Sequence, residues 1–333
     1  MELNLHGSAR TIAEAVQRAR AAEAAGFGGI FFADSQLNSL DPFQLLALCA
    51  TETTRLRLGT AVSNMVYRDP SVLANSAATV NEISQGRAVL GLGTGDGPVY
   101  SLGRSATKLA EFERGLRAIR DLVRGKSISV PRGKERAEGK VQLRVGKLPV
   151  PIYISAEGPG GLRVAGRVAD GVILGSGFDL QVLDWARERI AEGAREAGRD
   201  PSEIDIMPAG MTAVDDDGAR AKSLVRARLA NRAHHNFRFT LETVPPDDVA
   251  GVKRFMAGFD ISKPLEQRID PNLVTDYLVQ RFTIAGTPEE CAQRVRELAQ
   301  AGVRRLLLTP PEAIYHQVLE AWGRRVIPRI TAA

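Results

Sequence analysis

The strongest constraint on the fold is an alternation. Apolar runs at 2–6, 29–33, 56–62, 87–92, 149–155, 171–174, 204–214 and 304–309 read as buried strands. Helix-spaced segments separate nearly all of them, among them 12–25, 42–51, 70–84, 107–123, 180–197 and 287–301. Caps and stops mark the helices: Asp41-Pro42 opens one, and Gly26 closes another. A chain that repeats strand then helix buries both faces of a parallel sheet, so the expected fold is an α/β (β/α)8 TIM barrel, with an open doubly wound sheet as the other solution. The 333 residues, 44% of them hydrophobic, suffice for one such domain over 1–333. Two stretches break the repeat. Residues 125–148 read as a basic loop, and 231–281 as a helical insertion covering the barrel mouth.

The 87–92 strand opens into Gly91-Leu-Gly-Thr-Gly-Asp-Gly97, where glycine lets the backbone take unusual angles and approach a ligand. It is not a P-loop, because no Gly-Lys-Ser/Thr follows, and it lacks the Gly-x-Gly-x-x-Gly spacing of a dinucleotide site. Asp96 is its one ionisable residue. Small or polar residues gather after several strands: Asp34-Ser35, Ser63-Asn64, Asp96, Ser155 to Glu157 and Gly175-Ser176. In a barrel these share one mouth. The stretch Ser155-Ala156-Glu157-Gly158-Pro159-Gly160-Gly161 leads from strand to helix, and its N–H groups would suit a phosphate, although plain strand-to-helix punctuation has the same composition. Gly175-Ser176 at the next strand end strengthens the ligand reading. Asp34 and Asp96 suit proton transfer, or the capping of a turn or helix.

Other chemistries find little support. Cys49 and Cys291 stand far apart, fitting neither a disulfide framework nor a zinc site, and point to a reducing cytoplasm. No metal site is expected: His6 is the one histidine at a predicted strand end, and His234 and His235, adjacent on a helix, point apart. There is no nucleophile elbow. No signal peptide or membrane span is evident. The net charge of +5 is dispersed among acids, which gives nucleic-acid binding little support. The local exception is Lys126, Arg132, Lys134, Arg136, Lys140, Arg144 and Lys147, a solvated loop or a surface for a polyanionic ligand. With no triad or metal cluster, an organic cofactor is the expected source of the chemistry.

Several motifs carry a family resemblance: FFADS at 31–35; RLRLGTAVSN at 55–64; the run from Tyr67 to Asp96; PVPIYISAEGPGGLRVAGRVADGVILGS at 149–176; and IAGTPEECAQRVRELAQAGV at 284–303. Together they resemble the luciferase-like superfamily of flavin- and deazaflavin-dependent oxidoreductases, nearest to the branch that is similar to methylenetetrahydromethanopterin reductase. That resemblance implies a TIM barrel with coenzyme F-420 at its mouth, or FMN in the alternative. It implies a non-prolyl cis peptide at Ala61-Val62, with Ser63 and Asn64 beside it, under the ring. It further implies phosphate at 155–161 with Gly175 and Ser176, and Asp96, next to Gly95, as the acid near the reactive carbon. The basic residues of 126–147 would then serve the glutamyl tail. Many relatives have Asp-His where this chain has Asp34-Ser35, so a proton donor is missing there or Asp34 works unaided. The implied function is hydride transfer between F-420 and a small organic substrate. The alternatives are an FMN-dependent monooxygenase supplied by a reductase partner and a non-catalytic flavin-binding protein. A homodimer is expected from the resemblance. The phenylalanines of 231–281 fit an apolar substrate pocket or core packing equally.

Overall fold

The computed structural model describes residues 1–132, 137–146, 148–263 and 267–331. In chain order it has β1 (Glu2–Gly7), α1 (Ile12–Ala24), β2 (Gly29–Phe32), α2 (Pro42–Glu52), β3 (Arg57–Thr60), the two-residue β4 (Ser63–Asn64), α3 (Pro70–Ile83), β5 (Ala88–Gly93), the short α4 (Gly97–Tyr100) and α5 (Leu109–Val123). Then come β6 (Ser127–Arg132), β7 (Ala137–Gln142), β8 (Ile152–Ser155), α6 (Pro159–Val168), β9 (Gly171–Leu174), α7 (Leu180–Glu196) and β10 (Asp205–Val214). The chain continues with α8 (Gly218–Thr240), α9 (Pro246–Gly258), α10 (Asp276–Phe282), β11 (Thr283–Gly286), α11 (Pro288–Gln300), β12 (Arg305–Thr309), α12 (Tyr315–Ala321) and α13 (Ile327–Thr331).

Strands β1, β2, β3, β5, β8, β9, β10 and β12 close a parallel barrel, the TIM barrel expected from the alternation. Its registers run Leu5↔Ile30, Ile30↔Leu58, Leu58↔Ala88, Gly91↔Tyr153 and Tyr153↔Gly171. The ten-residue β10 closes the ring: Asp205 pairs with Gly171 of β9, and Ala209 with Leu307 of β12. Its far end pairs with β11 at Met211↔Thr283, a parallel strand added outside the ring. Residues 283–286 carry no strand signal of their own, because four residues directly after a helix show no alternation.

Side chains divide by parity. Phe31, Val89, Tyr153, Ile173, Met207 and Leu307 fill the barrel interior, while Leu5, Ile30, Leu58, Leu90, Ile154 and Val172 face the surrounding helices. Gly91 is where strand contact is closest: a Cβ there would lie 1.9 Å from the Thr60 carbonyl oxygen, and the Thr60 hydroxyl also bridges to Gly91. At the barrel's N-terminal end, Asp205 accepts from Tyr153 Oη at 2.9 Å and pairs with Arg305 at 2.8 Å.

Two expectations need correction. The basic segment is not an irregular loop: β6 and β7 form an antiparallel hairpin, Ser127↔Gln142 to Arg132↔Ala137. It lies between a helix and the strand that follows, hence at the N-terminal end of the barrel, away from the predicted mouth. Contacts agree: Asn81 Nδ2 donates to the Leu148 carbonyl, and Gly146 sits against Ala78, near the end of α3. Lys126, Lys140 and Arg144 therefore belong to the opposite end from Asp96; Lys134, Arg136 and Lys147 lie outside the described residues. The 231–281 stretch is helical, but it begins inside a longer helix, because α8 runs unbroken from 218 to 240. Phe237, Phe255 and Phe282 are core residues of this region, packed with Leu229, Val252 and Leu278.

Replacing Gly91 with alanine should cost about 3 kcal/mol or more, or prevent folding, because backbone must move to admit one methyl group. Urea denaturation measures this; a cost below about 1 kcal/mol would mean the β3–β5 contact is slack.

Candidate active site

The floor of the mouth is built where the β3 ladder stops. The Ala61–Val62 peptide is cis, at the position the resemblance implied. The chain then pairs with β5 as β4, Ser63↔Leu92 and Asn64↔Gly93. Val62 and Ala61 pack on the interior plug, and a Cβ at Gly93 would lie 2.9 Å from Val62 Cγ2. Glycine at 93 thus makes room for the Val62 side chain. His6, near the end of β1, has Nε2 3.0 Å from the Ala61 carbonyl and Nδ1 3.4 Å from Thr309 Oγ1. A carbonyl only accepts, so Nε2 carries the proton, and Nδ1 accepts from the Thr309 hydroxyl. Burial, with the Arg232 charge adding to it, lowers the His6 pKa to about 4, so the ring is neutral at pH 7.

Asp34 is not free-standing. Its carboxylate accepts from Ser63 Oγ at 2.6 Å, from Arg68 Nε at 2.7 Å and from Arg68 Nη2 at 3.1 Å. Arg68 continues to Asp41 at 2.7 Å, and Asp41 in turn caps α2 through Phe43 N–H. Tyr67 Oη donates to the Asp34 carbonyl at 3.0 Å. With 3% exposure and a bidentate arginine, Asp34 ties together the ends of β2 and β4 and the start of α2.

Asp96 is the contrasting carboxylate. Gly95 takes φ +106°, and the Asp96 carbonyl accepts from Val99 N–H and Tyr100 N–H to start α4. Its side chain caps nothing and is exposed. The single turn α4 inside the glycine loop had no periodicity to announce it.

The third wall joins β8, β9 and α8. Helix α6 begins at Gly158 and Pro159 without a side-chain cap, which leaves its first N–H groups for backbone, solvent or an anion. Gly160 packs on Leu109, Gly161 on Ala156 and Gly158 on Phe239, so backbone rather than side chain faces outward there. Ser155 is half-buried and Ala156 buried. Glu157, 7% exposed, is held by Arg232 Nη1 at 2.5 Å and Asn236 Nδ2 at 3.4 Å, with His235 Nε2 3.8 Å away. Asn236 also donates to Ser176 Oγ at 2.8 Å and accepts from Arg281 at 3.1 Å; Arg281 reaches Thr240 and Tyr277 at 2.9 Å. Gly175 lies under this pair: a Cβ there would be 2.3 Å from Glu157 Oε1 and 2.9 Å from Arg232 Nη1.

The predicted residues therefore fall into groups. Asp34 meets Ser63; Ala61 and Val62 form the floor with His6; Glu157, Gly175 and Ser176 meet through α8. Asp96 shares neither Ser63 nor Arg68, the hydrogen-bond partners of the Asp34 carboxylate. Sequence reasoning passed over His6 as structural and missed Arg68, Arg232, Asn236 and Arg281. Only Arg68, in the Tyr-Arg-Asp-Pro run, lay within a quoted motif; the other three sit on helical segments where arginine and asparagine are ordinary surface residues. A groove of about 860 Å³ opens elsewhere, on the flank of α8, α10 and α11, and its Lys222, Arg226 and Arg294 are each paired with an acid. It contains none of these strand-end residues. Among the described residues, no cluster of three or more potential metal ligands occurs, and no helix is long and apolar enough to cross a membrane.

The fold is that of a (β/α)8-barrel protein, with a candidate site at the C-terminal ends of its strands. Residues 2–305 match the family model described as luciferase-like monooxygenase, and the chain belongs to that family. It is 33% identical to a 5,10-methylenetetrahydromethanopterin reductase from Methanolobus tindarius over 296 residues, 88% of this chain and 89% of that one. It is 28% identical to an F-420-dependent glucose-6-phosphate dehydrogenase from Nakamurella multipartita over 96% of this chain and 93% of the relative. The solved coenzyme F-420-dependent tetrahydromethanopterin reductase from Methanopyrus kandleri superposes with a TM-score of 0.74 at 22% identity, covering 99% of both chains.

His6 gives the mouth a pH signature. An unfolded imidazole titrates near 6.5 and the folded one near 4. Between those values the unfolded chain binds the extra proton, so stability falls as pH drops from 6.5 to 4 and levels off below. The full effect is about 3 kcal/mol. The difference in denaturation free energy between wild type and His6→Gln, followed from pH 7 to 4, should shrink by that amount. A difference independent of pH would show that His6 is not held neutral.

Proposed function

We propose that the mouth holds coenzyme F-420 and that the protein transfers a hydride between it and a small organic substrate. The observation that carries this reading is one barrel end that combines a shelf at 61–62, a helix start without a side-chain cap at 158–161 and an exposed carboxylate at 96. The relatives support it, since all three named above bear F-420 or methylenetetrahydromethanopterin chemistry in their descriptions.

The residues fit such a group. Ala61, Val62, Ser63 and Asn64, with Gly95 opposite, would flank its ring. Gly158, Pro159, Gly160 and Gly161, with Ser155, Ala156, Gly175 and Ser176, would surround its phosphate. Glu157, bonded to Arg232, orients α8 over that loop rather than contacting phosphate. Bound there, F-420 supplies a two-electron hydride carrier. The protein's own part is to position the substrate, exclude water and move a proton. Asp96 is the residue for that proton, since its carboxylate is exposed and caps nothing. Asp34, fully engaged by Arg68 and Ser63, fixes the shelf instead. The described residues of the basic hairpin lie at the other end of the barrel, which counts against their holding the tail of a cofactor bound in this mouth.

The family description favours a second reading, an FMN-dependent monooxygenase fed by a reductase partner. A homodimer accords with the exposed apolar side chains Ile12, Leu48, Val72 and Ile83 on the outer faces of α1, α2 and α3.

Parallel titrations with F-420 and FMN, oxidised and reduced, decide between cofactors. The expected result is micromolar binding of F-420 and much weaker binding of FMN. Preference for reduced FMN with oxygen consumption would move the assignment to the monooxygenase, and binding of neither would sink both. Asp96→Asn should lower turnover by more than about tenfold while F-420 affinity stays unchanged. Unchanged turnover would remove Asp96 from proton transfer and favour a different acid.

A further inference from the structure

Arg232 reaches the strand ends of the mouth. It comes from the middle of α8, yet it bonds Glu157 beyond the end of β8 and touches the space above Gly175 beyond β9. Its charge also acts on His6 of β1 and couples to Asp96 beyond β5. Strands β8 and β9 are neighbours in the ring, and the bond to Glu157 fixes Arg232 beside their ends.

One edge of this guanidinium is anchored and the rest is open. Nη1 is bonded to the buried Glu157, while the Arg232 side chain keeps 48% of its exposure. A guanidinium carries five N–H donors in a planar fork that matches carboxylate and phosphate oxygens. Glycine at 175 keeps the ground beneath clear, since any side chain there would strike the pair. Glu157 and Asp96 both act on the Arg232 charge, while the fork keeps N–H donors beyond the one spent on Glu157.

We propose that Arg232 is the substrate-recognition residue of the mouth and that the substrate is a small organic acid whose carboxylate or phosphate oxygens seat on the open edge of its guanidinium. This deepens the hydride-transfer reading, and rests on it in treating the bound acid as substrate.

The test is calorimetric titration of the F-420-saturated protein with two probe acids and their neutral counterparts: succinate against succinamide, and glycerol 3-phosphate against glycerol. At least one acid should bind on the order of tenfold more tightly than its counterpart, and which acid does so separates carboxylate from phosphate recognition. Arg232→Gln should remove that preference while F-420 affinity holds, and Arg232→Lys should restore part of it. Because Arg232→Gln leaves Glu157 buried without its cation, the paired variant Arg232→Gln/Glu157→Gln is measured alongside, and it should also lack the preference. Equal binding of acids and neutral counterparts, or a preference that survives in the variants, overturns the proposal. Loss of F-420 affinity in both glutamine variants also overturns it, since Arg232 would then belong to the cofactor. If wild type binds no F-420, the hydride-transfer reading fails, and the same comparison on the ligand-free protein decides whether Arg232 recognises acids.

Discussion

The plug of Phe31, Val89, Tyr153, Ile173, Met207 and Leu307 underlies everything else in this molecule. It makes the barrel solid, so no ligand can pass through and chemistry is confined to the ends. Parallel closure then sends every strand's C-terminus to the same end. The plug also sets the height of the floor: Ala61 and Val62 rest on it, and His6 stands beside them. Tight strand contact at Gly91 and the space left by Gly93 let β3 stop, turn and rejoin β5 without opening the wall.

Above the floor, charge is distributed by pairing. Two carboxylates near the mouth are buried, and each has an arginine: Asp34 with Arg68, Glu157 with Arg232. Removing one partner of such a pair leaves an uncompensated buried charge, which is costly, so these pairs hold geometry more than they add stability. The first locks β2, β4 and α2 together. The second fastens α8 to the ends of β8 and β9. Against these, Asp96 is exposed and caps nothing, and the two kinds of carboxylate are separated by environment rather than by residue type.

The strand–helix repeat was legible because parity and caps are local properties. All eight barrel strands fall where apolar runs stand in the sequence, and Asp41, Asp69 and Thr287 cap the helices that follow them. Short or composite features were harder to read: α4 is one turn, β11 is four residues, and in the β6–β7 hairpin the alternation of Ile128 and Val130, and of Val141 with Leu143 just beyond it, was overshadowed by the charges around it. The misplacement of the basic cluster has a simple cause. Charge is visible in sequence, but the end of the barrel to which a segment belongs depends on whether it follows a strand or a helix.

By itself the sequence determined the fold, the strand-end loops, the glycine cradle and the family, since each depends on residues close together in the chain. Tertiary structure decided which charges are free. Asp34 and Asp96 look equivalent in sequence, and burial of the first against Ser63 and Arg68, 34 residues away, distinguishes them. Arg232 is one arginine among many on a basic helix until α8 packs beside β10 and β11 and Glu157, 75 residues distant, bonds it. Electrostatic roles depend on neighbours in space, and chain order does not record them.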